Sequence, residues 1–218
     1  MKSVQLLTFI FFIFNFTIAQ HSIPFASQNN SIELSIANAS TVAANNVVVE
    51  VTSAPQWLQF QNRKVTIENL SANENKTAHF LFSADKSAPV NKSEQVIFTI
   101  SNSPPDGRAG NGERWTKTLS LQISPPEKFE LFQNYPNPFN PTTTIGYQLP
   151  MSSIVSLQIF DAIGREVVML DEGMKEPGYH QVEWNATNIS SGMYIYQVSW
   201  NNEKGVQQYY RKKMLITK

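Results

Sequence analysis

The sequence predicts an all-β protein in which two immunoglobulin-like antiparallel β-sandwiches in tandem follow a secretory signal peptide. Three observations carry this prediction. Short runs of β-branched and apolar residues recur along the chain, turns rich in Asn, Ser and Pro separate them, and no long segment has a helical period. The length of 218 residues fits one or two domains. We therefore divide the chain into residues 1–19, 20–124, 125–128 and 129–218.

Residues 1–19 have the layout of a signal peptide. Lys2 supplies a positive charge, and residues 4–18 are almost entirely apolar. The small residue Ala19 predicts cleavage between Ala19 and Gln20. A membrane anchor is the alternative, but an apolar run of about 15 residues is shorter than the roughly 20 that a spanning helix needs. We therefore expect a mature protein that lies outside the cytoplasm.

Residues 20–124 carry the pattern of one immunoglobulin-like sandwich, because short strands recur within roughly 100 residues. The predicted strands are residues 32–36, 47–51, 57–60, 64–67, 79–82, 96–100 and 118–123. Turn formers, among them Asn45-Asn46, are expected to separate these strands. The segment is thus predicted to be a small independent β domain.

Composition and motifs exclude several classes of function. The chain has no cysteine, which removes disulfides, thiolate metal sites and thiol nucleophiles. Its 17 basic residues balance 17 acidic ones, which argues against a nucleic-acid surface. The three histidines lack metal-ligand spacing, and the sequence has no zinc-protease, nucleophile-elbow or phosphate-loop motif. We expect a non-enzymatic protein without a cofactor, although Asp85 and Asp106 leave a paired-carboxylate glycosidase site as an alternative.

Two features of the first sandwich admit a binding interpretation. The loop of residues 103–113 could hold Ca²⁺ through its Asp, Asn and Glu oxygens, but a plain strand connection is favoured because the EF-hand spacing is absent. Trp57 and Trp115 could stack on sugar rings, but packing in or near the core is favoured in so small a sandwich. The sequence therefore identifies no ligand of this domain.

Prolines mark the boundary between the two predicted sandwiches. Pro125 and Pro126 cannot donate ladder hydrogen bonds, so we expect residues 124–128 to be extended, exposed and open to proteases. Beyond them, Asn and Pro alternate, which predicts a stiff segment with turns. Tyr135 and Phe139 are expected to anchor that segment to the second sandwich.

Residues 129–218 predict a second sandwich of about 90 residues. Its strands are expected at residues 145–149, 155–159, 166–170, 180–184, 193–200 and 206–216. Gly164 lies in the connection after the second of these strands and is free to take a positive φ. In the strand at 193–200, the alternating residues Tyr194, Tyr196, Val198 and Trp200 should line one face.

The second sandwich also carries several motifs in a fixed order. They are Asn134-Tyr135-Pro136-Asn137-Pro138-Phe139-Asn140-Pro141, Phe160-Asp161-Ala162-Ile163-Gly164-Arg165-Glu166-Val167, Pro177-Gly178-Tyr179-His180, Ser191-Gly192-Met193-Tyr194 and Arg211-Lys212-Lys213-Met214. Over residues 128–218, this series resembles the C-terminal sorting domain of the type IX (Por) secretion system, type A. Within the motifs, the resemblance assigns sorting residues to Tyr135, Pro136, Asn137, Pro138, Phe139, Asn140, Pro141, Gly164, Arg165, Gly178, Gly192, Tyr194, Lys212, Lys213 and Lys218.

The resemblance implies a route of export. It implies an envelope with an outer membrane, in Bacteroidota and relatives, and recognition of the sorting domain by a translocon in that membrane. It further implies removal of the domain by a cysteine-protease-like sortase, often with transfer of the passenger to surface lipopolysaccharide. The expected cleavage region comprises Ser124, Pro125, Pro126, Glu127 and Lys128. The basic last strand is a natural docking surface by strand addition or charge, although it could equally be a solvated edge that resists pairing.

These expectations combine into a non-enzymatic protein that is secreted or displayed at the cell surface by the type IX route. The first sandwich is then a passenger that binds protein or polysaccharide as a structural or adhesive module. The alternative is a carbohydrate-binding or adhesive accessory module whose C-terminal sandwich is retained. Exposed aromatic rings would favour the alternative, and buried tryptophans favour the structural module.

Overall fold

A computed structural model gives the fold, and it describes residues 21–102, 114–202 and 204–218. These residues form β-strands and their connections, and no helix is present among them. They fall into two compact units, one of residues 21–88 and 92–123 and the other of residues 89–91 and 124–218. The predicted all-β fold is therefore confirmed. The predicted signal peptide and the loop at 103–113 lie outside the described residues.

The first unit contains eight described strands in two sheets. The strands are β1 (His21–Ile23), β2 (Asn30–Ala37), β3 (Ala44–Ser53), β4 (Leu58–Phe60), β5 (Lys64–Leu70), β6 (Asn75–Ala84), β7 (Ser93–Ser101) and β8 (Arg114–Ile123). One sheet has the order β1-β8-β7-β3-β5, and the other has the order β2-β6-β4. All pairs are antiparallel except β1 with β8.

Alternating apolar residues build the core of this unit. In β2, Ile32, Leu34 and Ile36 are buried while the residues between them are exposed or half-buried. Phe80 of β6 meets Phe98 of β7 with ring centroids 5.1 Å apart, which joins the two sheets. The sandwich therefore depends on apolar packing, as the absence of cysteine requires.

Two details of this unit differ from the prediction. Asn45 and Asn46 do not separate strands, because β3 begins at Ala44 and continues to pair with β5 on both sides of them. Asn46 has a φ of +50°, which Asn tolerates better than most residues. Strand β1 was not predicted, because three residues are too short to show an alternating pattern.

The second unit is a sandwich of seven strands among the described residues. They are β9 (Glu130–Leu131), β10 (Thr142–Leu149), β11 (Ser153–Phe160), β12 (Glu166–Lys175), β13 (Gly178–Asn185), β14 (Gly192–Asn201) and β15 (Gln207–Ile216). The sheet orders are β13-β10-β9 and β12-β11-β14-β15. Residues from both sheets form one buried cluster, which includes Tyr147 of β10 and Tyr196 of β14. The predicted face of β14 is confirmed, because Tyr194, Tyr196, Val198 and Trp200 are all buried.

Candidate recognition surface of the second sandwich

The segment of alternating Asn and Pro is fixed from within by a buried asparagine. Asn134 is 2% exposed, and its Nδ2 donates to the carbonyl oxygen of Pro136 (3.1 Å) and to Oγ1 of Thr143 (2.9 Å). Thr143 Oγ1 donates in turn to the same Pro136 oxygen over 2.8 Å. These bonds hold residues 134–136 against β10, so the segment is a defined turn.

A buried tyrosine completes this anchor. The hydroxyl of Tyr196 donates to the carbonyl oxygen of Phe132 (2.8 Å) and accepts from the backbone N–H of Asn134 (3.0 Å). Burial raises the pKa of Tyr196 to about 12, because the phenolate would lose its hydration in the core. Asn134, Thr143 and Tyr196 thus hold the motif in place, a role that the sequence did not assign to them.

Tyr135 does not anchor the turn, contrary to the prediction. Its side chain is 82% exposed, while its backbone exchanges two hydrogen bonds of 2.9 Å with Thr144. Successive side chains of an extended segment point to opposite sides, so the burial of Asn134 directs Tyr135 outward. Phe139 does anchor the turn, because it is 2% exposed and packs against Trp184 at 5.6 Å between ring centroids.

The turn also covers part of the outer edge of β15. Asn137 Oδ1 accepts from the N–H of Leu215 (2.9 Å), and the N–H of Phe139 donates to the carbonyl of Leu215 (3.0 Å). The N–H of Thr217 donates to the carbonyl of Phe139 over 3.1 Å. Farther along, Nε2 of Gln133 donates to the carbonyl oxygen of Lys213 over 2.9 Å. The first sorting motif therefore contacts the last strand directly.

The rest of this edge is open. β15 is the last strand of its sheet, and its other side pairs with β14. The backbone N–H and C=O groups of every second residue of β15 point away from β14, and residues 213, 215 and 217 are of this kind. The backbone groups of Tyr209 and Arg211 therefore also point away from β14. No hydrogen bond to those outward groups comes from the part of the chain that the structure describes. An extended strand could pair with β15 from Tyr209 to the N–H of Lys213.

The open edge is basic. Arg211 and Lys213 are exposed and Lys212 is half-buried. Arg211 donates through Nε to Oε1 of Gln197 over 2.6 Å, and among the described residues none of these three cations forms an ion pair. Lys218 is not counted with these three cations, because its Nζ donates to the carbonyl oxygen of Thr187 over 2.8 Å. Three positive charges without an ion-pair partner among the described residues therefore lie along the open edge.

The expected cleavage region ends at an aromatic slot. Phe129 is 7% exposed, stacks on Trp200 at 5.2 Å between ring centroids and lies tilted against Tyr210 at 4.5 Å. Just before it, Glu127 and Lys128 are exposed, whereas Ser124 and Pro125 are half-buried and Pro126 is buried. The expectation of an exposed segment throughout 124–128 is therefore wrong for Pro126, and the exposed peptide is confined to Glu127 and Lys128.

Three glycines of the motifs take positive φ at turns or strand starts. Gly164 has a φ of +84° in the turn between β11 and β12, while Gly178 and Gly192 begin β13 and β14 with φ values of +123° and +151°. In the Gly164 turn, Arg165 donates to Asp161 through its side chain (2.8 Å) and its backbone (2.9 Å). These Arg165 bonds lower the pKa of the Asp161 carboxyl. The Gly164 turn joins the two strands of its sheet that lie farthest from β15, whereas Gly178 belongs to the other sheet and Gly192 pairs with Ile216 of β15.

Tyr194, another of the sorting residues, is structural. It is 9% exposed, its hydroxyl donates to the carbonyl of Ser190 over 3.0 Å, and its ring lies edge-on to Trp184 at 6.0 Å. The structure thus separates the sorting residues into a buried set and an exposed set. The exposed sorting residues that come together are those of the turn at 135–138 and Lys213, with the half-buried Lys212 beside it.

Other kinds of site are not apparent in the described parts of the chain. Among these residues, no group of three His, Cys, Asp or Glu side chains could hold a metal ion. Within the same residues, no helix is long and apolar enough to cross a membrane. Trp57 is 8% exposed and belongs to the core, as the favoured interpretation predicted, and Trp115 is half-buried.

Comparison with known families identifies the second sandwich. Residues 133–215 match the family model described as a secretion system C-terminal sorting domain. This part of the chain is therefore a sorting domain, and the secretion system is the type IX, or Por, system that the motifs predicted. A sorting domain of this family directs secretion or cell-surface export and implies an interaction with the type IX machinery. No curated protein matches the chain.

Solved structures resemble the chain only distantly. The CupB2 chaperone of Pseudomonas aeruginosa aligns at 12% identity and a TM-score of 0.34, over 93% of this chain and 100% of the other. Dimeric latent PorU of Porphyromonas gingivalis aligns at 13% identity and a TM-score of 0.35, over 95% of this chain and 20% of the other. The calcium-binding domain CBD12 of CALX1.1 aligns at 10% identity and a TM-score of 0.36, over 83% of this chain and 75% of the other. TM-scores this low support no argument about function.

Proposed function

We propose that the protein is a non-enzymatic cargo of the type IX secretion system, delivered to the cell surface or the medium. The observation that carries this proposal is the sorting domain at residues 133–215, whose last strand offers an open basic edge. The first sandwich is the passenger. The sorting domain is recognised during export and is then removed.

Recognition uses the outer edge of β15. A partner strand adds to the backbone between Tyr209 and Lys213, where the outward donors and acceptors of β15 have no partner among the described residues. Carboxylates on the partner compensate Arg211, Lys212 and Lys213. Strand addition supplies affinity through main-chain hydrogen bonds, and the charges favour an acidic partner over a neutral one.

Removal of the sorting domain occurs in the exposed peptide before the aromatic slot. Glu127 and Lys128 are accessible, and from Phe129 onward the chain is held by Trp200 and Tyr210 and by the pairing of β9 with β10. A protease needs an extended and accessible peptide, so residues 127–128 are the favoured place for the cut. The sortase then releases the passenger or transfers it to surface lipopolysaccharide.

The passenger acts as a structural or adhesive module. Among its described residues, no Phe or Trp side chain is exposed, which disfavours a sugar-stacking platform. The sequence proposed two tryptophans for sugar stacking. Trp57 is buried in the core, whereas Trp115 is half-buried. A carbohydrate-binding passenger would have to use that ring.

The recognition step is tested by removing charge while leaving the strand intact. Lys212→Gln with Lys213→Gln keeps both aliphatic stems, and Lys64→Gln with Lys204→Gln removes the same charge from exposed lysines elsewhere. We expect the first double variant to accumulate in the periplasm of the native host and the control to reach the surface, as measured by fractionation and immunoblotting. Surface display of both variants at the normal level would overturn recognition by charge.

Deletion of residues 212–218 tests sorting as a whole. This deletion removes part of the open edge and also the buried Met214 and Ile216, so it should abolish recognition by any mechanism. We expect the truncated protein to remain in the periplasm. Normal surface display of the truncated protein would contradict the sorting function itself.

A further inference from the structure

The exposed Tyr135 is held in place by the backbone around it. Its own N–H and carbonyl pair with Thr144, and the neighbouring Asn134 and Pro136 are fixed by buried hydrogen bonds. Yet its ring is 82% exposed, the most exposed of the large apolar side chains in the described part of the chain. A fixed backbone therefore presents the aromatic ring to the solvent, and little backbone freedom is left to lose on binding.

The position of Tyr135 connects it to the open edge of β15. Gln133, two residues before it, donates to the carbonyl of Lys213, and Asn137, two residues after it, accepts from the N–H of Leu215. Tyr135 thus lies on a segment whose two flanks both contact the outer edge of the last strand. A partner strand that reaches Lys213 would arrive at the Tyr135 turn.

We propose that Tyr135 is the anchor of a second contact with the outer-membrane receptor of the type IX machinery, which takes the ring into an apolar pocket bordered by carboxylates. This inference rests on the proposed function and adds Tyr135 to the residues that contact the export machinery. Tyrosine is among the residues that most often dominate binding energy at protein interfaces, because it buries a large rigid ring and keeps a polar tip.

The chemistry of the surroundings defines the pocket. Pro136 and Pro138 are exposed beside the ring in sequence, and Leu215, whose N–H bonds Asn137, is 42% exposed. The nearest cation along the strand is Lys213, which has no ion pair among the described residues. An apolar pocket with an acidic rim complements this combination, whereas a basic surface would be repelled.

Tyr135→Ser tests the proposal, with Tyr135→Phe as the rescue variant and Ile163→Ser as the matched control. Ile163 is 75% exposed in the turn between β11 and β12, away from β15, so its substitution removes a similar exposed apolar surface. We expect the surface fraction of Tyr135→Ser to fall about tenfold, with full-length mature protein in the periplasm, because loss of an interface anchor costs at least that in affinity. Tyr135→Phe and Ile163→Ser should be exported normally.

Each other outcome has a defined meaning. Normal export of Tyr135→Ser, with the deletion of 212–218 still retained in the periplasm, would overturn this inference and leave the proposed function standing. Export of Tyr135→Ser without cleavage would also overturn it, because the ring would then contact the sortase. Thermal unfolding of the purified full-length variants should be unchanged, since the ring is exposed, and a lowered unfolding temperature for Tyr135→Ser would assign the ring a structural role instead.

Discussion

The side-chain oxygen of Asn137 accepts a hydrogen bond of 2.9 Å from the backbone N–H of Leu215, which lies 78 residues later in the chain. This bond joins the first sorting motif to the last strand. It also closes part of the edge of β15 and leaves Tyr209 to Lys213 open. The motif at the beginning of the sorting domain therefore determines how much of its final strand a partner can reach.

Replacing Asn137 should weaken this connection. Asn137→Ala removes the acceptor for Leu215, and we expect the free energy of unfolding of the second sandwich to fall by about 1 kcal/mol. Urea denaturation of the full-length protein measures this free energy of unfolding. Asn140→Ala is the matched control, because Asn140 is an exposed asparagine of the same motif. An equal loss in both variants would show that the bond to Leu215 contributes nothing specific.

The aromatic slot should limit proteolysis. Phe129→Ala empties the space between Trp200 and Tyr210, so we expect a loss of about 3 kcal/mol and faster trypsin cleavage after Lys128 in the full-length protein. Phe129→Leu refills much of the slot and should be cleaved more slowly than the alanine variant. Equal cleavage rates for the wild type and Phe129→Ala, measured by mass spectrometry of timed digests, would contradict this role.

The buried tyrosine should make the second sandwich sensitive to alkali. The pKa of Tyr196 rises from its ordinary 10.0 to about 12 in the fold, so protonation is favoured in the folded state. The stability that this provides is fully present below pH 10 and is lost as the pH rises through 12. Tyr196→Phe should be less stable near neutrality, because the Phe132 carbonyl and Asn134 N–H lose their partner, but should lose less stability between pH 10 and 12.

The control for this prediction is Tyr147, which is also buried. Burial also raises the pKa of Tyr147, so the Tyr196→Phe protein keeps part of the alkaline transition. Parallel curves of unfolding free energy against pH for the wild type and Tyr196→Phe would contradict the account of Tyr196.

The turn between β11 and β12 should require a positive φ at Gly164. No atom lies near the position of an added Cβ, so Gly164→Ala costs only the left-handed backbone conformation, about 1 kcal/mol. Gly164→Asn should cost less, because asparagine tolerates this region. Chemical denaturation of both variants checks the order, and a more stable alanine variant would contradict it.

The sequence predicts the strands well because alternation in β2 and β11 reflects a two-sided environment. It fails where a contact is not local. The outward direction of Tyr135 depends on the buried partners of Asn134, and the partial closure of β15 depends on Asn137 meeting Leu215. Strand β1 was missed because only its pairing with β8 makes three residues a strand. Periodicity indicates which face of a strand is buried, but it carries no information on which sheet edge remains open.

The most direct test of the central claim is the intact mass of the exported protein, measured on material from the surface or medium of the native host. A mature chain that ends between Ser124 and Glu130, free or with a heterogeneous added glycan mass, is the predicted result, with Glu127 or Lys128 as the favoured last residue. A chain that runs from Gln20 to Lys218 would contradict removal of the sorting domain and would make the second sandwich a retained part of the working protein.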